Sequence, residues 1–275
     1  MVNETREEMR RIDQAQNKQY KRTLTVIIFL LVTLVFSLGT FTNPRFMKHH
    51  LSQSSSSVVV DRSINDKFNR LAKTVGANSD DDRNMLTDQQ VRPLSEAIVD
   101  YELGLHWFKT DNLALAGKLE RIMMNEIGDN ASDGATEVKA AMKLRQSSRL
   151  YSIVTSFSLS QATMIANLET LFILVSVVVI LACLFILSVT LREMHQRASW
   201  RAMSHDTLAA GMWAGTWLIA IFALLAALPM IFDLNGTASV AYFLEISSGI
   251  FLNLVICGTV LFVGCAIPWQ LTAVE

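Results

Sequence analysis

Only three cysteines, Cys183, Cys257 and Cys265, occur in the 275 residues of this chain. Three are too few for a disulfide framework, and all lie in apolar stretches, so any exported portion must hold together by packing alone. Charge is missing more selectively. No Asp, Glu, Lys or Arg occurs in 23–44, 170–191, 207–232 or 246–274, although the chain carries 24 basic and 25 acidic residues. These runs of 22, 22, 26 and 29 residues each exceed the roughly 20 helical residues that cross a bilayer, which excludes an ordinary soluble enzyme. The runs also lack acids, bases and histidines at mid-depth, which argues against ion-coupled transport. No P-loop, GxGxxG, HExxH or GxSxG signature occurs anywhere, so phosphate, dinucleotide and hydrolase chemistry lack their usual carriers.

What is present is a chain of two phases. Leu24 to Phe41 and Leu171 to Leu191 have no polar face, and a helix that is apolar all round calls for lipid as its solvent. The spans near Gly211–Phe232 and Ile246–Trp269 hold more Gly, Ala and Cys and read as facing other helices. Arg6, Arg10, Arg11, Lys18, Lys21 and Arg22 precede the first span, and Arg192, Arg197 and Arg201 lie between the second and third. Because short basic segments resist translocation, both termini are expected on the cytoplasmic side of the cell membrane. The resulting organisation is a cytoplasmic segment (1–22), span one (23–43), an extracytoplasmic helical domain (44–169), span two (170–191), a cytoplasmic loop (192–208), span three (209–232), an outer loop (233–245), span four (246–269) and a cytoplasmic tail (270–275). The first apolar stretch exceeds the 7 to 15 residues of a cleaved signal and reads as a signal anchor. Asn130 and Asn235 begin glycosylation-type triplets on the expected outer side.

Inside 44–169 the apolar residues recur at helical spacing. Val60, Ile64, Phe68, Leu71 and Val75 make one stripe. Val91, Leu94, Ile98, Tyr101, Leu105 and Phe108 make a second, and Leu115, Leu119 and Ile122 a third. A fourth is expected from Gly134 through Met164, running unbroken into span two, and no strand pattern competes. The fold class expected is therefore an all-α integral membrane protein with four transmembrane helices and a four-helix extracytoplasmic domain inserted between spans one and two. At 1.5 Å per residue the first and last helices outreach the middle pair, which predicts a head on a two-helix stalk. Ser54, Ser55 and Ser56 on one side, and Ser156 and Ser158 on the other, are expected to face each other in that stalk.

Other motifs weaken on inspection. Asp80, Asp82, Asn84 and Asp88 echo a calcium loop, yet Met85 and Val91 stand where such a loop needs Gly and a bidentate Glu. Adjacent His49 and His50 point about 100 degrees apart on a helix, and His195 and His205 are widely spaced with no cysteine, so no metal site or other cofactor is expected. Gly211-Met-Trp-Ala-Gly215 is a GxxxG motif that can dock span three on span four or on another subunit, with Gly258 smoothing span four. Asn253, an amide in an apolar span, seeks a helical partner. Arg192, Arg197, Trp200 and Arg201 form an inner loop suited to a partner or to the membrane surface.

Two functional readings follow. In one, the chain is a non-enzymatic sensor or accessory subunit whose outer domain binds a ligand or partner and relays to a membrane complex. In the other it is a transporter or channel subunit. The order of one span, a large outer domain and three further spans, with Arg192-Glu193-Met194 and Arg201-Ala202-Met203 in the inner loop, is similar to that of FtsX and MacB-type membrane subunits. The likeness is one of topology, and the inner loop lacks the Gly-Ala turn of those proteins. It implies a separate ATPase as partner. The partners expected are the lipid bilayer and other membrane subunits or a second copy, with no nucleic acid.

Overall fold

The computed structural model describes residues 2–52, 54–77, 84–104, 106–109, 111–128, 131–145, 148–197, 199–231 and 238–273, with side chains from Lys18 onward apart from 53–56, 229–246 and 273. Asp80, Asp82, Asn130 and Asn235, and the side chains of Ser54, Ser55 and Ser56, lie outside the described residues. All regular structure among the described residues is helical. The elements in order are α1 (Val2–Thr40), α2 (Pro44–Leu51), α3 (Ser54–Val75), α4 (Asp88–Leu103), α5 (Leu113–Glu126), α6 (Asp133–Leu144), α7 (Arg149–Ser156), α8 (Leu159–Arg197), α9 (Trp200–Ile231) and α10 (Ala238–Ala273). Stretches of α1, α8, α9 and α10 are long and apolar enough to cross a membrane: Lys18–Thr40, Leu159–Arg197, Trp200–Leu228 and Ser247–Thr272. The chain divides into two compact units, Leu38–Val175 and the combination of Met1–Ser37 with Ser176–Glu275.

In the first unit, α3 packs on α4, α6 and α7, α5 packs on α4 and α7, and α2 packs on α3 and α4. The stripes expected of α3, α4 and α5 supply the core. Phe68, Leu71, Leu94, Leu115, Leu119 and Met123 are all almost completely buried, joined by Met142, Ile153 and Phe157 from the later elements. Each such side chain contributes roughly 1.5–3 kcal/mol by leaving water. Buried polar side chains fix the turns. Asn65 donates to the Leu86 carbonyl (3.3 Å) and accepts from the Leu86 amide (2.8 Å), pinning the approach to α4 onto α3. Ser132 caps α6 and donates to the Met85 carbonyl (2.7 Å).

The helices expected at the domain's two ends are broken. The first is split into α2, which Asn43 caps by accepting from the amides of Arg45 and Phe46 with Pro44 at the first helical position and which ends at a cap on Ser52, and α3, which begins at Ser54. The second stops at Leu103, where Gly104 turns extended (φ −68°, ψ 136°), so Phe108 leaves the core stripe. The expected fourth helix is three helices. Arg145 ends α6, and Ser158 takes a left-handed φ of 53° between α7 and α8. The short α7 then lies against both α3 and α5, burying Ser152, Ile153 and Ser156. Ser156 donates to the Thr74 hydroxyl (3.2 Å) near the end of α3.

In the second unit α9 lies along α10. Leu24, Met194, Met203 and Ala210 make one buried cluster from α1, α8 and α9, and Leu218, Phe222 and Leu254 make another with Phe29, Val32 and Phe36 of α1 against it. The GxxxG glycines work within the chain. A Cβ at Gly215 would stand 2.8 Å from the Gly258 carbonyl and 2.9 Å from the Phe262 nitrogen, and one at Gly211 would meet the Cys265 sulfur at 2.5 Å. Most other apolar side chains point outward: Phe185 is 70% exposed and Leu181 61%.

Candidate functional site

Where α2, α3 and α4 meet, the helical domain opens a cleft of about 250 Å³. Leu51, Val60 and Val99 give it an apolar lining, while Lys48, Asp61, Asp88, Arg92 and Glu96 bring charge to its walls. The helical pitch explains the grouping: Asp88, Arg92, Ser95 and Val99 recur every three or four residues, with Glu96 one turn after Arg92, and so share one side of α4. Both cations of the cleft are engaged. Lys48 Nζ lies 2.5 Å from Asp100 Oδ1, and Arg92 Nε lies 3.0 Å from Glu96 Oε1 one turn along. Asp61 and Asp88 have no cation within 4.0 Å among the described residues. Burial raises the Asp61 carboxyl above its ordinary range, and the nearby Asp88 charge adds to the rise. The cleft therefore offers negative charge beside an apolar floor. Ser52 and Ser57 line it as well.

A second polar constellation lies where the 104–112 connection meets the start of α8. Asn167 brackets the backbone of Lys109, its Oδ1 accepting from the amide (2.7 Å) and its Nδ2 donating to the carbonyl (2.7 Å). The Tyr101 hydroxyl donates to the Asp111 carbonyl (3.0 Å) and shares a hydrogen bond with Thr163 (3.0 Å). His106 Nε2 pairs with the Thr170 hydroxyl at 3.2 Å. Lys109 Nζ donates to the Tyr101 carbonyl (2.6 Å) and sits 3.7 Å from the centre of that ring, while burial pushes its ammonium below the usual value against the pull of Glu169. Glu169 is 9% exposed, and neither carboxylate oxygen has a hydrogen-bond partner among the described residues. The 3.6-residue period places 163, 167 and 170 on one side of α8, which is why Asn167 and Thr170 hold the loop while Thr163 meets Tyr101 of α4. Sequence reading missed this site, treating Tyr101 and Phe108 as one stripe; Gly104, a poor helix former, was the available signal.

The remaining candidate residues are dispersed. Arg192, Arg197, Trp200 and Arg201 are exposed around the α8–α9 connection, with Trp200 edge-on to His195. Nearby, Lys21 pairs with Asp206 at 2.8 Å and Tyr20 donates to Glu193 at 3.1 Å, tying α1 to α9 and α8. Gly211, Gly215 and Gly258 gather at the α9–α10 contact, whereas Asn253 is exposed on α10, away from that seam. Ser156 is buried against Thr74, and Ser158 occupies the bend before α8. Among the described residues, no three His, Cys, Asp or Glu side chains converge as a metal site would require. Comparison with known proteins finds no matching family model, curated protein or solved structure.

Proposed function

We propose that the chain is a non-enzymatic, multi-pass subunit of a cell-membrane complex. Its termini and the 192–208 loop lie in the cytoplasm, and residues 44–169 form an extracytoplasmic domain that binds a ligand or partner. The observation that carries the reading is α8, one helix from Leu159 to Arg197. Its first residues, Leu159 and Ala162, belong to the helical domain's core, and its last turns reach the basic inner loop. A helix of 39 residues spans roughly 58 Å, far more than the ~30 Å of hydrocarbon it crosses. A shift in what grips residues 159–170 is thereby felt along the same backbone. The α2–α3–α4 cleft accepts a cationic group, an amine or guanidinium that answers Asp61 and Asp88, while Arg192, Trp200 and Arg201 contact the complex on the inner side.

The test is gentle extraction of the intact chain and of its D61N/D88N form from native membranes, with mass spectrometry of the bound components. A component retained by the first and lost from the second supports the reading; identical profiles refute the role of the cleft. A second reading, a transporter subunit with FtsX/MacB-like topology, is favoured by the order of the spans. It is supported if an ATPase copurifies in a manner that R192A/R201A abolishes.

A further inference from the structure

Trp107 and Phe108 stand edge-on to each other on the 104–112 connection, 82% and 49% exposed. Two large aromatics at the tip of a water-facing loop are an unfavourable use of apolar area. This loop is not free to choose its position. His106 on one side is bonded to Thr170, and Lys109 on the other is bracketed by Asn167, so the aromatic pair is held at the level where the charge-free run 170–191 begins. Next to this grip, Met164, Ile165, Leu168, Leu171 and Phe172 of α8 are between 41% and 57% exposed. The exposed apolar surface of α8 thus begins before the uncharged run and passes the height of the loop. The Trp107 indole N–H has no hydrogen-bond partner among the described residues.

We infer that the 104–112 loop is a membrane-interface anchor, with Trp107 and Phe108 inserted at the headgroup level of the bilayer that α8 enters. Indole is suited to this depth, its ring meeting acyl carbon and its N–H meeting headgroup or water. Lys109 fits the same place, its ammonium directed back over Tyr101 and out of the hydrocarbon. The occupant is lipid because the pinned level coincides with the start of an apolar span. The anchor couples membrane depth to the loop that links α4 and α5.

The inference rests on 170–191 lying in lipid, and the test separates the two ideas. Tryptophan fluorescence of the full chain is recorded in nanodiscs made with lipids brominated either near the glycerol end or near the middle of the acyl chain, the deeper label reporting on Trp217, and again with iodide in the water. Subtracting the W107F and W217F signals from the intact one isolates Trp107 and Trp217. The expected result is at least about twofold quenching of Trp107 by the shallow bromolipid with little quenching by iodide. Trp107 quenched by iodide and indifferent to bromolipid, with Trp217 quenched by bromolipid, overturns the anchor and leaves the spans standing. Neither tryptophan responding to bromolipid overturns both.

Discussion

The two units use the same kind of residue in opposite directions. In the helical domain Phe68, Leu94, Met123 and Phe157 point inward and are almost wholly buried, as water outside requires. In the unit built from α1, α8, α9 and α10, Leu181, Phe185, Leu224 and Val260 point outward, and α9 meets α10 through glycines that leave no room for a Cβ. Side-chain volume holds the first unit together, and the absence of side chains lets the second close. Hydrophobicity alone therefore does not identify a core; the solvent outside decides which side of a helix counts as in.

The comparison is sharpened by removing the same ring from each unit. Phe68→Ala is expected to cost about 3–5 kcal/mol, seen as loss of amide protection across α3, α5 and α7 in hydrogen exchange of the full chain. Phe185→Ala, on an outward face, is expected to change unfolding in mild detergent by no more than about 0.5 kcal/mol. Comparable losses from both would erase the distinction. The converse experiment adds volume. Gly215→Val drives a side chain into the α10 backbone, where nothing flexible can yield, and is expected to cost about 1–3 kcal/mol in thermal stability in detergent. Gly264→Val, at a position where an added Cβ meets nothing within 4 Å, is expected to be near neutral.

A third prediction concerns charge in the water-facing unit. Burial raises the Glu102 carboxyl to about 7 from 4.5, with Lys67 pulling it back down. The native state therefore holds a proton that the unfolded chain has released, and stability falls as pH rises from about 4.5 to about 7, then levels. Glu102→Gln, which stays neutral, should gain about 1–2 kcal/mol over the native chain at pH 8 and nothing at pH 4.5, read from denaturation at the two pH values. A gain of the same size at both would remove protonation from the explanation. The smallest expected effect is at Asn253, an amide exposed on an apolar helix. Asn253→Leu should weaken association with a neighbouring chain by about 0.6–2 kcal/mol, measured by dissociation in detergent, and should leave the α9–α10 seam unchanged.

Legibility followed the same divide. The spans were readable because twenty or more residues without charge admit few interpretations, and the glycines were readable because their spacing places them on one helical face. The stripes of α3, α4 and α5 were readable because a core facing water imposes a 3.6-residue period. The breaks were harder. Ser158 adopts a left-handed backbone that its type rarely takes, and α7 exists because its short apolar face fills space between α3 and α5, a tertiary demand that local pattern does not carry. The Asn167, Thr170 and His106 bonds join residues about sixty positions apart, so nothing in the local sequence announced them.

Lipid between the helical domain and the inner loop can be tested directly. Single cysteines at Lys118, exposed on α5, and at Arg201, exposed at the start of α9, can be challenged in intact cells with a thiol reagent that does not cross membranes. Labelling is expected at 118 in intact cells and at 201 only after permeabilisation. Equal labelling at both positions in intact cells, or labelling of 201 alone, would contradict it.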